Sequence, residues 1–270
     1  MILLGALELY ALHALRPLEN RVLDRYVRMQ AAKVAPDPDI VLVDIDEKSF
    51  GAMREEAGRW PWPRVVYADI VAGLAAQKPR AIVFDIMFNE KDRDRPQDDE
   101  AFAAAVSEHR NTYFPLLRMP AENDVRGVPM SEIAPLIGVM RSKSADPEAR
   151  AMLVPPTVLP SDQWRVGLIG FTEDADGVGR RYVLRETIRG WQVPSLPSRV
   201  AFDLGYPVPD QDDIVLAWRG AKGGFPRVSF SDLYEEFNKS KRTRPADEFS
   251  GKIVIIGTAE IGRASCRERV

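Results

Sequence analysis

Two short apolar runs, each closed by an aspartate, constrain the fold of this chain more than any other feature. Ile40–Val43 lead to Asp44, and Ala81–Phe84 lead to Asp85. A run without polar alternation is typical of a strand covered on both faces, as in parallel sheets. Between them, Arg64–Gln77 carries apolar residues at helical spacing and ends at a proline. Strand, helix and strand in this order predict a parallel βαβ unit.

The pattern continues along the chain. A helix over Asp99–Glu108, capped by Asp98, leads to a third strand at Tyr113–Leu117. The later predicted elements are a hairpin of Val166–Thr172 with Tyr182–Ile188, a helix at Ser195–Leu204, a strand at Ile214–Trp218, a helix at Ser231–Asn238 and a last buried strand at Ile253–Ile256.

The segment Arg118–Trp164 interrupts this order, because it holds seven prolines and little periodicity. We expect a surface excursion there, with short helices near Ile133 and Glu148. The predicted fold is therefore α/β: a single large domain with a mixed, mainly parallel central sheet flanked by helices, plus a β-hairpin and a long proline-rich insert.

Charge and metal-ligand content exclude several classes of function. The 270 residues include 37 basic and 40 acidic side chains, a net charge of -3. This balance argues against a nucleic-acid partner, since such proteins carry a basic excess. Cys266 is the one cysteine, so no disulfide forms within the chain, and His13 and His109 are too far apart in sequence to suggest a zinc site. We expect no metal and no cofactor.

The two ends of the sequence differ from its middle. We interpret residues 1–35 as the remnant of a membrane anchor and a juxtamembrane helix, or else as an amphipathic helix packed on the domain. Leu18, Val22 and Tyr26 share one face of that helix. Residues 36–260 form the main domain. Residues 261–270 come directly after a predicted buried strand, and no turn-forming sequence separates the two. We expect these residues to be a non-native tail.

Carboxylates gather where the first strands end. Asp46 follows the first strand, Asp85 closes the second, and Glu90 comes shortly after. In open parallel sheets, ligands bind in the crevice beyond the carboxyl ends of the strands. These side chains could hold a hard cation, or orient an amine or a sugar hydroxyl. The alternative is that the aspartates brace the turns by accepting hydrogen bonds from loop amides.

The string VDIDEKS also permits an enzyme. Haloacid dehalogenase-like phosphatases begin with a strand and an Asp-x-Asp motif, in which one aspartate attacks phosphorus and the other handles protons. Asp44 and Asp46 would take these roles here. Lys48 stands where that motif has Thr or Val, and no later acidic pair for magnesium is evident. Despite these two departures from the motif, a metal-dependent phosphohydrolase that uses Asp44 and Asp46 is an alternative function.

The most unusual string is GRWPWPR, residues 58–64. Proline fixes φ, so Trp60 and Trp62 are presented with little conformational entropy to lose. Arg64 could pair with Asp85 or Glu90 at the sheet edge. A rigid loop of this kind can bind a ligand by stacking or cation–π contact. Alternatively, the indoles cover the end of the sheet.

Several strings together resemble the type-two CHASE domain, a sensory extracellular domain associated with cyclases and histidine kinases. They are PDIVLVDIDEKSF, GRWPWPR, RAIVFDIMFNEKDRDRPQDDEAFAAAV, DADGVGRRYVL, VPSLPSRVAFDLG and GKIVIIGTA. The resemblance spans roughly Pro36 to Ala259, and RPLENRVLDRYVRMQ looks like the linker after a first membrane helix.

The resemblance implies a ligand-sensing module on the extracytoplasmic side of a bacterial membrane, anchored by flanking helices and coupled to a cyclase or kinase. It implies no catalysis, an unidentified small-molecule ligand and a possible homodimer. Combined with the residue pattern, it directs attention to a ligand site formed by Asp46, Trp62, Arg64, Asp85 and Glu90. A scaffold domain without a ligand is the third possible function.

Overall fold

The computed structural model describes residues 16–171, 173–220 and 224–258. The apolar start, Met1–Leu15, and the tail predicted to be non-native, Ile261–Val270, lie outside them. The helices are α1 (Arg16–Ala31), α2 (Glu47–Glu56), α3 (Arg64–Ala75), α4 (Pro96–Glu108), α5 (Met130–Ile137), α6 (Leu196–Asp203) and α7 (Phe230–Asn238). The strands are β1 (Ile40–Asp44), β2 (Ala81–Phe84), β3 (Thr112–Arg118), β4 (Val128–Pro129), β5 (Met140–Arg141), β6 (Arg150–Ala151), β7 (Leu153–Val154), β8 (Val166–Leu168), β9 (Arg181–Val183), β10 (Arg185–Ile188), β11 (Trp191–Pro194), β12 (Asp213–Val215), β13 (Arg227–Ser229) and β14 (Ile253–Gly257).

A mainly parallel sheet is the centre of the fold, as the sequence predicts. Its order is β13-β1-β14-β2-β3, with β8 parallel and β7 antiparallel to β3. The last strand, β14, pairs with β1 on one side and β2 on the other. The first two strands are therefore not neighbours. They lie two strand spacings, roughly 10 Å, apart.

Alternating side chains cover the two faces of the sheet. Ile82 and Phe84 point into the main core with residues of α3, α4 and α7. Ala81 and Val83 point to the opposite face, where α6 packs through Leu196 and other apolar residues. The period of two is the ordinary geometry of a strand. With helices on both faces, the apolar strand residues are removed from water, which accounts for the uninterrupted apolar runs.

The chain divides into two compact units. One consists of Met1–Pro38 and Leu216–Phe225, and the other of Asp39–Val215 and Pro226–Val270. In the first unit, the backbone N–H of Gly220 donates to the carbonyls of Ala31 and Val34, both at 2.8 Å. The central sheet and its flanking helices belong to the second unit. None of the helices in the described part of the chain is long and apolar enough to cross a bilayer.

Two predictions about the proline-rich segment are wrong. Arg118–Trp164 is not a surface excursion throughout, because Met130 and Ile133 of α5 are buried in the main core. Near Glu148 the chain forms a turn and not a short helix.

Two predictions about other elements are also wrong. Val166–Leu168 does not form a hairpin with the segment after Tyr182, because β8 pairs with β3 instead. The hairpin is β10–β11, whose turn residues Arg189 and Gly190 both have positive φ. Asp98 is not the cap of α4. That helix begins two residues earlier, at Pro96, because proline fits the first turn, where an N–H has no intrahelical partner.

Candidate functional site

The carboxyl edge of the parallel sheet brings the sequence-predicted residues to one end of the domain. Asp46 and Asp85 follow β1 and β2, while Trp62 and Arg64 lie at the start of α3. Helices that connect parallel strands begin at this edge, so the shared location follows from the topology. Within the edge, however, the five side chains fall into separate environments.

Asp46 caps α2 and holds three donors of its own chain. Its Oδ1 accepts hydrogen bonds from the Ser49 N–H at 2.8 Å, the Ser49 hydroxyl at 2.7 Å and the Ser229 hydroxyl at 3.0 Å. Partial burial raises the pKa of Asp46, but these hydrogen bonds outweigh it and the pKa lies below its ordinary value. The carboxylate thus joins the starts of α2 and α7.

Asp44, the other aspartate of the alternative phosphohydrolase, is also engaged. Its carboxylate is nearly buried and lies 3.2 Å from Arg227 Nη1. Within residues 16–171, 173–220 and 224–258, no cluster of three or more His, Cys, Asp or Glu side chains could hold a metal ion. Asp44 and Asp46 are thus each engaged by side chains of the chain itself.

Trp62 is part of the core, with 1% of its surface exposed. Its ring centroid lies 5.0 Å from that of Phe230 and 4.9 Å from that of Trp60. Phe50 and Tyr67 complete this aromatic cluster. The indole thus fills the space where α3 and α7 begin. This is the covering role that the sequence left open beside a ligand contact.

Arg64 reaches Glu90, as expected, but through the backbone. Its Nη2 lies 3.5 Å from the Glu90 carbonyl, and its guanidinium lies over the Phe88 ring at 5.2 Å from the centroid. The nearest carboxylate is Asp99, whose Oδ1 is 3.9 Å from Arg64 Nε, beyond hydrogen-bond distance. The Glu90 side chain is exposed, and among the described residues Arg64 forms no ion pair with Asp85, so these contacts replace the predicted ion pair across the edge.

Asp85 is the predicted site residue whose carboxylate remains open. No hydrogen bond or ion pair engages it among the described residues. It lies beside Gly257, where an added Cβ would come within 3.0 Å of the Asp85 Cβ. The side chain is exposed at the edge, yet the surrounding protein raises the pKa of Asp85 through desolvation. A carboxylate in this position can accept hydrogen bonds or pair with a cation.

Tyr182, on β9, lies within electrostatic range of Asp85 and of Ser195 at the start of α6. Burial raises the pKa of the Tyr182 hydroxyl above its ordinary value, the neighbouring Ser195 side chain lowers it, and the charge of Asp85 raises it. Ser195 is the N-cap of α6 and accepts a hydrogen bond from the Ser198 N–H. It lines a cavity of about 220 Å³ together with Arg118 and Arg185. This end of the domain therefore holds an open carboxylate, a phenol and a small cavity with charged and apolar walls.

Sequence reasoning missed Tyr182, Ser195 and Asp99 as residues of this edge. Tyr182 belongs to β9, in a segment for which the sequence predicts the wrong hairpin, and for Ser195 the sequence predicts only the first residue of a helix. The string DADGVGRR, which carries part of the resemblance, has a structural role. Arg180 within it is buried and pairs with Asp174 at 2.6 Å and Asp176 at 2.8 Å.

Comparison with known proteins identifies one family. The family model for the CHASE2 domain matches residues 1–267. Neither the curated proteins nor the solved structures include a significant match. CHASE2 domains are extracellular sensory domains found in membrane signalling receptors. Because the match spans nearly the whole chain, this protein belongs to the CHASE2 domain family.

Proposed function

We propose that this chain is the extracytoplasmic sensory domain of a bacterial membrane receptor, and that it serves as the input to a cyclase or histidine kinase. The family match over residues 1–267 is the observation that carries the proposal. A sensor of this kind works without catalysis. It changes the receptor only as far as its ligand binds one of two conformations more tightly than the other.

The ligand site we propose is the carboxyl edge around Asp85. The open carboxylate and the Tyr182 hydroxyl would receive an amine or a hydroxyl of a small molecule. Arg64 and Glu90 lie on the same edge and would form its second wall. Asp46 and Trp62 are occupied by their own contacts, so their proposed part is to hold the starts of the helices in place.

A thermal-shift screen over a metabolite library tests this proposal. A ligand at 100 times its dissociation constant stabilises the folded protein by about 2.7 kcal/mol, which for a chain of this size is a shift of about 5 to 11 °C. We expect Asp85→Asn to lose the shift. The control Asp162→Asn changes an exposed carboxylate elsewhere and should retain it. Hits that act equally on both variants would place the ligand elsewhere.

Placement outside the membrane is tested separately. A cysteine introduced at the exposed position Glu100 of the full receptor, in a background without other cysteines, should react with a membrane-impermeant maleimide in intact cells. Labelling that requires lysis would contradict the proposed localisation.

The two alternative functions predict different results with the same purified protein. Magnesium-dependent hydrolysis of p-nitrophenyl phosphate that is abolished by Asp44→Asn would support the phosphohydrolase. A flat thermal-shift response across a broad library would support a scaffold domain. The contacts of Asp44 and Asp46 favour neither, since both carboxylates are engaged by neighbouring side chains.

We also propose that two copies of the chain pair through α1. Leu18, Val22, Tyr26 and Met29 form an apolar stripe whose members are 55% to 64% exposed. Identical stripes on two helices match each other under two-fold symmetry. Light scattering should give the mass of a dimer, and Val22→Asp should give a monomer. A monomeric wild-type protein would contradict the proposal.

A further inference from the structure

A second concave site lies on the face of the domain that α6 covers. It is a cavity of about 510 Å³ between α6, the β10–β11 hairpin, the turn after α5 and the stretch from Tyr206 to Asp210. Phe202 on α6 lines it and is 69% exposed, and Tyr206 and Met140 are exposed as well. Large apolar side chains left open in a concavity of this size are typical of ligand sites.

Two arginines lie in the wall of this cavity, and they differ in how firmly they are held. Arg199 donates from Nη1 to the Ile137 carbonyl and from Nε to Asp203, both at 2.9 Å. The Asp203 side chain is itself largely covered, so this pair is part of the framework. The charge of Arg199 is thereby neutralised within the protein.

Arg185 has weaker partners. Its side chain is 14% exposed, but the carboxylates that it meets, Asp210 at 2.7 Å and Asp212 at 3.2 Å, are 100% and 72% exposed. A carboxylate in full contact with water contributes little to an ion pair, because solvent screens the attraction and the side chain loses freedom on pairing. Asp210 is therefore a partner that a ligand can replace.

A ligand carboxylate in the cavity would form a stronger ion pair with Arg185 than the exposed Asp210 does. A guanidinium presents parallel N–H groups that match the two oxygens of a carboxylate. A ligand whose apolar body covers these side chains would displace water from them, and the attraction between opposite charges is stronger where water is displaced. Phe202 and Tyr206 would at the same time cover an apolar body attached to that carboxylate.

We propose that this cavity binds a small carboxylic acid with an aromatic or branched aliphatic body. The carboxylate pairs with Arg185 in place of Asp210, and the body lies against Phe202 and Tyr206. That such binding acts as a signal rests on the proposed sensory function. The binding itself does not, because it does not require Asp85.

Calorimetric titration of the purified chain with matched acids and amides tests the proposal. The probes are 1-naphthaleneacetate, phenylacetate and 4-methylvalerate, each beside its primary amide, which has the same body without the charge. We expect at least one acid to bind ten or more times more tightly than its amide. Arg185→Gln should remove that preference, and Phe202→Ala should weaken acid and amide alike by fivefold or more. Phe202 is exposed, so its truncation leaves the fold intact.

Arg181→Gln is the matched control. Arg181 pairs with Asp213 on the neighbouring strand, is 52% exposed and does not line the cavity. It should retain the tenfold preference. The proposal is overturned if no acid in the panel binds, if each acid and its amide bind equally, or if Arg181→Gln and Arg185→Gln lose the preference together. None of these results touches the Asp85-dependent shifts, and loss of those shifts leaves this test unchanged.

Discussion

Replacement of Trp62 by alanine tests the division between framework and site at the carboxyl edge. The indole is 1% exposed and is surrounded by Phe50, Trp60, Tyr67 and Phe230 at centroid distances of 4.9 to 6.5 Å. Truncating a fully buried Trp removes its transfer free energy and leaves a cavity. Such substitutions destabilise proteins by about 3–5 kcal/mol. At about 2–4 °C per kcal/mol, the melting temperature should fall by roughly 6 to 20 °C.

The assay is urea unfolding followed by far-UV circular dichroism, with Trp218→Ala as the matched control. Trp218 is 56% exposed, so its truncation should change the free energy of unfolding by no more than about 0.5 kcal/mol. A loss below about 1 kcal/mol for Trp62→Ala would refute the assignment of this indole to the core. It would restore Trp62 as a side chain free to contact a ligand.

Three further predictions concern single contacts. The Arg244 N–H and neighbouring donors lower the pKa of Glu236 to about 2. The contribution of this carboxylate to stability is therefore present above pH 4.5 and is lost as the pH falls toward 2. The difference in melting temperature between wild type and Glu236→Gln should shrink over that range. Gly167→Ala would place a Cβ 2.4 Å from the backbone at the start of α6 and should lower the free energy of unfolding by about 1–3 kcal/mol. Its control is Gly51→Ala in α2, which has open space around the new Cβ and should be neutral or stabilising. Asp46→Ala removes the cap of α2 and should cost about 1–2 kcal/mol in chemical denaturation.

Clear results would contradict each of these. A Glu236→Gln difference that is constant from pH 2 to 7 would mean that the carboxylate is not held by its hydrogen bonds. Equal stabilities for Gly167→Ala and Gly51→Ala would deny the close approach of β8 to α6. An Asp46→Ala variant with unchanged stability would leave that carboxylate free for a ligand.

The parallel frame could be predicted because its signals are local. The runs Ile40–Val43 and Ala81–Phe84 are apolar on both faces, and the structure has both as strands of one parallel sheet. The helix over Arg64–Gln77 is present as α3, and Ser195 caps α6. Each of these follows from periodicity, proline or a capping side chain within a few residues.

The strand order could not be predicted, because it depends on contacts distant in sequence. Nothing in Ile253–Gly257 indicates that this last strand pairs with both β1 and β2. That insertion places one strand between the ends of β1 and β2, which Asp46 and Asp85 follow. Local patterns likewise miss β13 and the pairing of β8, whose short strands are defined by their neighbours.

The residues that lie at the carboxyl edge of the sheet could be predicted only in part. A strand-end aspartate such as Asp85 is recognisable from sequence. The partner of Arg64 was not, since Asp99 lies 35 positions away and enters through the packing of α4 against α3. Tyr182 and Ser195 reach the edge from segments far along the chain, and no local pattern distinguishes them from ordinary strand and cap residues.

Hydrogen exchange measured with and without a hit from the thermal-shift screen tests the central claim most directly. The claim is that the carboxyl edge around Asp85 receives a small molecule. The account predicts slower exchange in the peptide Asp85–Asp94, and no change in Lys239–Ser250 at the far end of α7. Protection that leaves Asp85–Asp94 unchanged, or a library without a single stabilising compound, would contradict it.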